Sequence, residues 1–154
     1  MRKPSDLPAR WMLGLLWILL AASPARGGPA CDPRDRVPLE VEGRPERAGD
    51  YGRMLCGIRA LLRERTGLDL DVPVRLRIVT DHRSFRRMSG HDSIVAFAVP
   101  GENLMVIDEI RLQRHPLEFG LTLRHEAAHI LLHRHIPREN LPRWFDEGVA
   151  QWVS

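Results

Sequence analysis

The sequence predicts an α+β domain in which a small sheet, mixed or antiparallel, packs on two helices. An apolar run without helix breakers, residues 121–135, indicates a helix, and residues 72–80 alternate between apolar and polar side chains as a half-solvated strand does. The order of elements, which is helix, strand, short helix, hairpin, helix and helix, favours the same class. A chain of 154 residues corresponds to one domain.

The N-terminal residues 1–25 are typical of a secretory signal peptide. Basic residues precede an apolar run over residues 11–22, which is short for a bilayer span, and Ser23 with Ala25 gives the small-x-small pattern that a signal peptidase accepts. We therefore expect an exported protein, periplasmic or extracellular, with no stable membrane span after processing. An uncleaved membrane anchor is the alternative.

The charge of the chain gives no argument for a nucleic-acid partner. The predicted leader contributes +2 of the formal net charge of +3, because Arg2, Lys3 and Arg10 oppose Asp6 alone. The arginines of the remaining chain are interleaved with acidic residues, and we expect them to be solvated surface groups.

Residues 26–50 are rich in Pro, Gly and charged residues without a sustained period, and they predict a loose N-terminal arm. Cys31 lies in this arm, and Cys56 lies in the helix predicted to follow it. An even number of cysteines in an exported chain permits a disulfide, and two unpaired thiols are the alternative.

The first predicted elements pack the domain. Residues 51–66 carry apolar side chains at helical spacing and Gly67 follows as a stop, while residues 72–80 predict a strand with Arg75 and Arg77 on its solvated side.

A short helix and a hairpin are predicted next. Residues 81–90 indicate a turn and a short helix, and residues 94–99 and 104–107 predict two strands joined by residues 100–103. The histidines expected to be solvated in loops or turns are His82, His91 and His115.

Two helices are predicted to complete the domain. The first begins at Leu117, after Pro116, and the second covers residues 143–153 after a connection bracketed by Pro137 and Pro142. The tryptophans expected to pack this second helix against the sheet or the first helix are Trp144 and Trp152.

The first of these helices contains an HExxH pattern, formed by His125, Glu126 and His129. Histidines four residues apart lie on one helix face, so both imidazoles can bind the same ion while Glu126 projects beside them. A catalytic zinc needs a third protein ligand and an open position for water. One candidate is His135, but Leu132 occupies the position at which the HExxHxxGxxH pattern has a turning glycine.

The favoured third ligand is Glu147, on the second helix. Gly148 and Ala150 permit a close approach to the first helix, and Asp146 points about 100 degrees from Glu147, so only one of the two carboxylates faces the ion. We expect His133 to lie off the metal-facing side, as a surface group or as a support for a ligand.

The segment HEAAHILLH followed by LPRWFDEGVAQW resembles the gluzincin metallopeptidases, in particular the bacterial peptidase MA-like domains, over about residues 94–153. The segment WFDEGVA is also similar to the third-ligand segment of the membrane alanyl aminopeptidases. The resemblance implies zinc bound by His125, His129 and Glu147, and Glu126 as the base that activates a zinc-bound water.

The resemblance also implies a zincin-like catalytic domain over residues 51–154, similar to the N-terminal lobe of thermolysin. Its edge strand, residues 104–107, is expected to lie along the cleft and to pair with an extended peptide. The aminopeptidases have a GxMEN motif where this chain has Glu102 and Asn103, and a polar hairpin tip is the alternative reading of this pair.

The chain departs from the family in one functional group. Gluzincins usually place an oxyanion-stabilising Tyr or His beyond the third ligand, whereas here Tyr51 is far upstream. The candidate substitutes are His91, Arg143 and a group from a partner, and the sequence does not select among them. We predict zinc-dependent hydrolysis of peptide bonds in a peptide or protein substrate. The alternatives are a non-catalytic zinc-binding scaffold, and a peptidase that needs further C-terminal sequence.

Overall fold

The structure, a computed structural model, describes residues 31–114 and 119–154, and these form an α+β domain, as the sequence predicts. The helices are α1 Ala48–Thr66, α2 His82–Ser89, α3 Glu109–Arg114, α4 Phe119–His135 and α5 Arg143–Val153. The strands are β1 Leu39–Glu42, β2 Val74–Val79, β3 Ala96–Val99 and β4 Leu104–Asp108. The predicted signal peptide, His115, and the predicted start of α4 after Pro116 lie outside the described residues.

The four strands form one mixed sheet in the order β1-β2-β4-β3. Strands β1, β2 and β4 pair in parallel, and β3 pairs antiparallel with β4 as the predicted hairpin. Among the described helices, none combines the length and the apolar character needed to cross a bilayer.

Strand β1 shows that the expectation of a loose arm over residues 26–50 is wrong for Leu39–Glu42. These residues pair with β2 in register, from Leu39 opposite Val74 to Glu42 opposite Arg77. Only four residues alternate here, too few to stand out between flanking prolines and glycines, and their hydrogen-bond partners lie more than 30 residues away. The pairing makes this segment part of the sheet.

A disulfide joins Cys31 to Cys56 and so ties the start of the described chain to α1. The alternative of two unpaired thiols is therefore wrong. The bridge closes a loop that contains β1, so it restrains the segment that the sequence left without structure.

Removing this bridge is expected to lower the free energy of unfolding substantially. A Cys31→Ser/Cys56→Ser double variant loses the cross-link over a sequence separation of 25 residues, which costs about 2–4 kcal/mol through the entropy of the unfolded chain. Urea unfolding of the double variant and of wild type, each with and without dithiothreitol, measures the effect. An unchanged midpoint, or a reductant effect that persists in the double variant, would contradict this account.

Strand β2 confirms the predicted alternation. Val74, Leu76 and Ile78 are buried in the main core, which lies between the sheet and the helices α1, α4 and α5. Arg75 and Arg77 point to the opposite face and are half-buried. Both arginines pair with carboxylates, so this face is less solvated than the alternation alone predicts.

The edge strand beside the candidate cleft is β3, and the prediction that residues 104–107 form this edge is wrong. All five residues of β4 are buried, with Met105 and Ile107 in the main core and Leu104 and Val106 in a second core around Phe85. A strand that is apolar on both faces belongs in the middle of a sheet, where neighbours cover it on each side. The hairpin therefore leaves the free edge to β3.

Helix α5 packs through Ala150 and Val153, and the expectation that its tryptophans pack it in place is wrong. Ala150 and Val153 are buried, whereas Trp144 is 75% exposed and Trp152 is 58% exposed. At 100 degrees per residue, both tryptophans lie roughly 130–150 degrees around the helix from the midpoint of Ala150 and Val153. The inward face of α5 is thus set by Ala150 and Val153, and the expectation that Gly148 permits a close approach is wrong, because Gly148 is exposed.

The sequence predicted that His82 is solvated, and this prediction is incomplete. Its Nδ1 contacts the carboxylate of Asp108, which is fully buried at the end of β4. The same carboxylate accepts a hydrogen bond from the backbone amide of Arg111 at 3.1 Å, so Asp108 links α2 to α3.

Candidate metal centre

Helix α4 brings the two histidines of the HExxH pattern together. The Nε2 atoms of His125 and His129 are 3.3 Å apart, as one helical turn between them allows. His129 is almost fully buried, and the side chain of His125 is 25% exposed. Two ring nitrogens therefore converge on one point at the wall of a cavity.

Helix α5 supplies a carboxylate to the same point. Glu147 Oε2 lies 3.8 Å from His125 Nε2 and 4.0 Å from His129 Nε2, so the three side chains form a group able to hold a metal ion. A turn of 3-10 helix, Arg138–Asn140, carries the chain from α4 to α5, and Ala150 packs α5 against the core.

The donor atoms have nearly the spacing that a tetrahedral ion requires. Bonds of 2.0–2.1 Å in tetrahedral geometry separate neighbouring donors by about 3.4 Å. The separation between His125 and His129 matches this value, and the two distances to Glu147 exceed it by about half an ångström. The Glu147 side chain is 52% exposed and is free to make this small adjustment. The donor set and its spacing thus fit a small divalent cation.

Asp146 holds His129 from the side opposite the candidate ion. Its Oδ1 accepts a hydrogen bond of 2.8 Å from His129 Nδ1, and its Oδ2 accepts one of 3.2 Å from His133 Nε2. Because Nδ1 carries the hydrogen, His129 Nε2 is left with a lone pair directed at the point where Glu147 arrives.

The sequence did not assign this role to Asp146, although it placed the two carboxylates on different faces of α5. Around the axis of α5, Asp146 lies within about 10 degrees of the midpoint between the buried Ala150 and Val153, and Glu147 lies about 90 degrees from that midpoint. The sequence feature that indicates this contact is the spacing of His125, His129 and His133 at intervals of four residues. Histidines on one helix face that bind a metal through one ring nitrogen need a hydrogen-bond acceptor for the other.

Replacing Asp146 by asparagine is expected to weaken metal binding by roughly 10–100-fold, the usual effect of losing a carboxylate that orients a ligand histidine. A competition titration with a chromophoric zinc chelator measures the affinity. Asp71→Asn is the matched control, because Asp71 is an exposed acid that pairs with Arg134 away from the cavity. Equal affinities of the two variants would show that the hydrogen bond to His129 does not support a ligand.

Glu126 lies beside the three candidate ligands and is buried, with only 7% of the residue exposed. Burial is the main cause that raises the pKa of Glu126 to about 7; the Glu147 carboxylate acts in the same direction, and His129 and the Ala98 amide act in the opposite one. Burial, and then the proximity of His129, lower the pKa of His125. Glu126 thus has the character of a proton acceptor poised near neutral pH.

The centre opens into a cavity of about 1,210 Å³. One wall consists of β3 and the hairpin turn, and the other consists of α4, α5 and the connection between them. An ion held by His125, His129 and Glu147 would therefore keep a side accessible to a substrate.

His135 is not near this cavity. Its Nε2 hydrogen-bonds to the backbone carbonyl of Asp69 at 2.8 Å, because α4 continues through the buried Leu132 without a turn. The structure thus removes His135 as a candidate third ligand.

The remaining residues for which the sequence suggested a role in the site lie either in the cavity wall or in the core. His91 and Arg143 line the cavity, whereas Tyr51 is fully buried and stacks on Phe119. Glu102 also lines the cavity, but its carboxylate accepts a hydrogen bond of 2.6 Å from Arg75.

No family model, curated protein or solved structure matches this chain.

Proposed function

We propose that this protein is an exported zinc metallopeptidase of the gluzincin type, with a domain similar to the N-terminal lobe of thermolysin. The observation that carries the proposal is the convergence of His125, His129 and Glu147 at the wall of an open cavity, with the buried Glu126 beside them. The disulfide between Cys31 and Cys56 supports export, because such bridges persist in oxidising compartments.

Zinc is the metal that best suits this donor set. Two imidazole nitrogens and one carboxylate oxygen at tetrahedral spacing are typical of catalytic zinc sites, which keep a fourth position open. Calcium and magnesium prefer sets of oxygen ligands with higher coordination numbers, so two histidines disfavour them.

The chemistry follows from the position of the acidic residues around the centre. Zinc, when bound, lowers the pKa of water towards about 7 and polarises the carbonyl group of the scissile bond. Glu126, buried beside the centre, would accept a proton from the attacking water and pass it to the leaving amine. Asp146 keeps His129 in the tautomer that this arrangement needs.

An extended substrate would bind along β3 in this proposal. Among the described strands, β3 pairs with β4 alone, so its other edge is available for backbone hydrogen bonds with a peptide. Ala96, Ala98 and Val99 of this strand line the cavity that contains the metal centre. The cavity is therefore suited to a polypeptide in extended conformation.

The proposal is tested by incubating the zinc-loaded protein with a diverse peptide mixture, with and without a chelator, and analysing the products by mass spectrometry. Cleavage that the chelator abolishes and added zinc restores supports the peptidase. Bound zinc without any cleavage supports a non-catalytic scaffold instead.

A further inference from the structure

We infer that the cavity selects peptides that carry a carboxylate close to the scissile bond, and that Arg138 and Arg143 are the residues that recognise it. The inference deepens the proposed function and depends on it for the position of the scissile bond. The carboxylate can belong to an acidic side chain or to a free C-terminus.

Arg138 and Arg143 occupy the wall of the cavity formed by the connection between α4 and α5. Arg138 begins the turn Arg138–Asn140, Arg143 is the first residue of α5, and both line the cavity with exposed side chains. Arg143 precedes Glu147 by four residues, which is about 6 Å along the helix. An extended peptide spans this distance in about two residues, so the contacted group lies near the scissile bond.

The acidic side chains of the cavity are already engaged. Asp146 accepts hydrogen bonds from two histidines, Glu102 pairs with Arg75, and Glu147 contributes to the candidate metal centre. Glu126 is buried beside that centre.

Both arginines lack an acidic partner within 4 Å among the described residues, although Asp146 and Glu147 stand at helical spacing from Arg143. With a divalent cation in place, Glu102 neutralised by Arg75 and the other three acidic residues ionised, the cavity carries a net charge of +1. Guanidinium groups bind carboxylates through paired hydrogen bonds, so a peptide carboxylate is the complement that these two side chains fit best.

The test uses two randomised hexapeptide pools, one containing Glu and Asp and the other Gln and Asn in their place. Each pool is prepared with a free or an amidated C-terminus, which separates an acidic side chain from a terminal carboxylate. Cleavage by zinc-loaded wild type, Arg138→Gln, Arg143→Gln and the double variant is compared. Arg83→Gln is the matched control, because Arg83 is exposed on α2 and lies outside the cavity.

Wild type and the Arg83→Gln variant are expected to cleave the acidic pool, or the free-acid pool, about tenfold faster than its neutral counterpart. Each arginine variant should lose most of this preference, since one charge-assisted contact changes an affinity by about tenfold. The quantity compared is the ratio of the acidic to the neutral rate, because Arg143 is also a candidate oxyanion-stabilising residue whose loss would slow the cleavage of both pools alike. No preference in wild type, or a preference that survives in the double variant, would overturn the inference and leave the peptidase proposal standing.

A binding measurement separates the two proposals if no pool is cleaved. Zinc-loaded Glu126→Gln protein, with and without the two arginine substitutions, is titrated with fluorescein-labelled acidic and neutral peptides. Arginine-dependent binding of the acidic peptides would support the selectivity of the cavity while hydrolysis fails. Equal binding of both peptides would reject the selectivity as well.

Discussion

The variant Glu126→Gln is expected to retain zinc and to lose peptide hydrolysis. Glutamine keeps the size and the polar contacts of the side chain but cannot accept and return a proton, and such a proton transfer contributes about 10²–10⁴-fold to a rate. The three candidate ligands are unchanged, so the metal content should equal that of wild type. Turnover of a peptide cleaved by wild type, together with the zinc content of the same sample, measures both halves of the expectation.

The matched control is Glu64→Gln, which makes the same change of charge on the exposed surface of α1. Its turnover and zinc content should equal those of wild type. Hydrolysis by Glu126→Gln within a few-fold of wild type would remove Glu126 from the role of base. Loss of zinc from this variant would show that the side chain supports metal binding instead.

The metal-free form of Glu126→Gln gives a second measurement. Because burial raises the pKa of Glu126 from 4.5 to about 7, the folded protein holds a proton that the unfolded chain has released between these pH values. Wild-type stability therefore declines as pH rises through this window, and the glutamine variant lacks the decline. We expect the variant to be more stable above pH 7 by an amount on the order of 1–3 kcal/mol, and close to wild type near pH 4.

The sequence predicted the elements whose signal is local. The alternation along β2 and the apolar run of α4 depend on neighbouring residues, and both elements are present close to the predicted bounds. Strand β1 depends on pairing with a distant strand, and four residues carry too little periodicity to predict it. The sequence also did not predict that β4 lies inside the sheet and β3 at its edge. An apolar run indicates a buried strand but does not reveal which strand pairs with its second edge.

In the candidate site as well, contacts set by local spacing could be predicted from the sequence, and contacts set by helix packing could not. One helical turn relates His125 to His129, so their proximity follows from spacing alone, whereas the approach of Glu147 depends on how α5 packs. The sequence selected Glu147 through the small residues of α5, and the structure places it with the histidines. The contact of Asp146 with His129 depends on the orientation of α5 about its own axis, and the burial of Ala150 and Val153 sets that orientation.

Replacing His129 by alanine is expected to release the metal. A zinc site shares roughly 10–16 kcal/mol of binding free energy among about four ligands, so the loss of one imidazole costs about 3 kcal/mol or more, which is roughly a hundredfold to a thousandfold in affinity. His129 should show the full effect, because it is nearly buried and is held in place by Asp146, so no solvent ligand can easily take its position. Metal analysis after dialysis against zinc-free buffer measures the loss.

The matched control for this variant is His135→Ala, which removes the same ring from the same helix. His135 contacts the Asp69 carbonyl and not the cavity, so its loss should leave the zinc content unchanged. Circular dichroism of both variants verifies that α4 remains folded. Zinc retained by His129→Ala, or released by His135→Ala in folded protein, would show that the ion is held by a different set of residues. The peptidase proposal would then lose its basis, because Glu126 would no longer stand next to the metal.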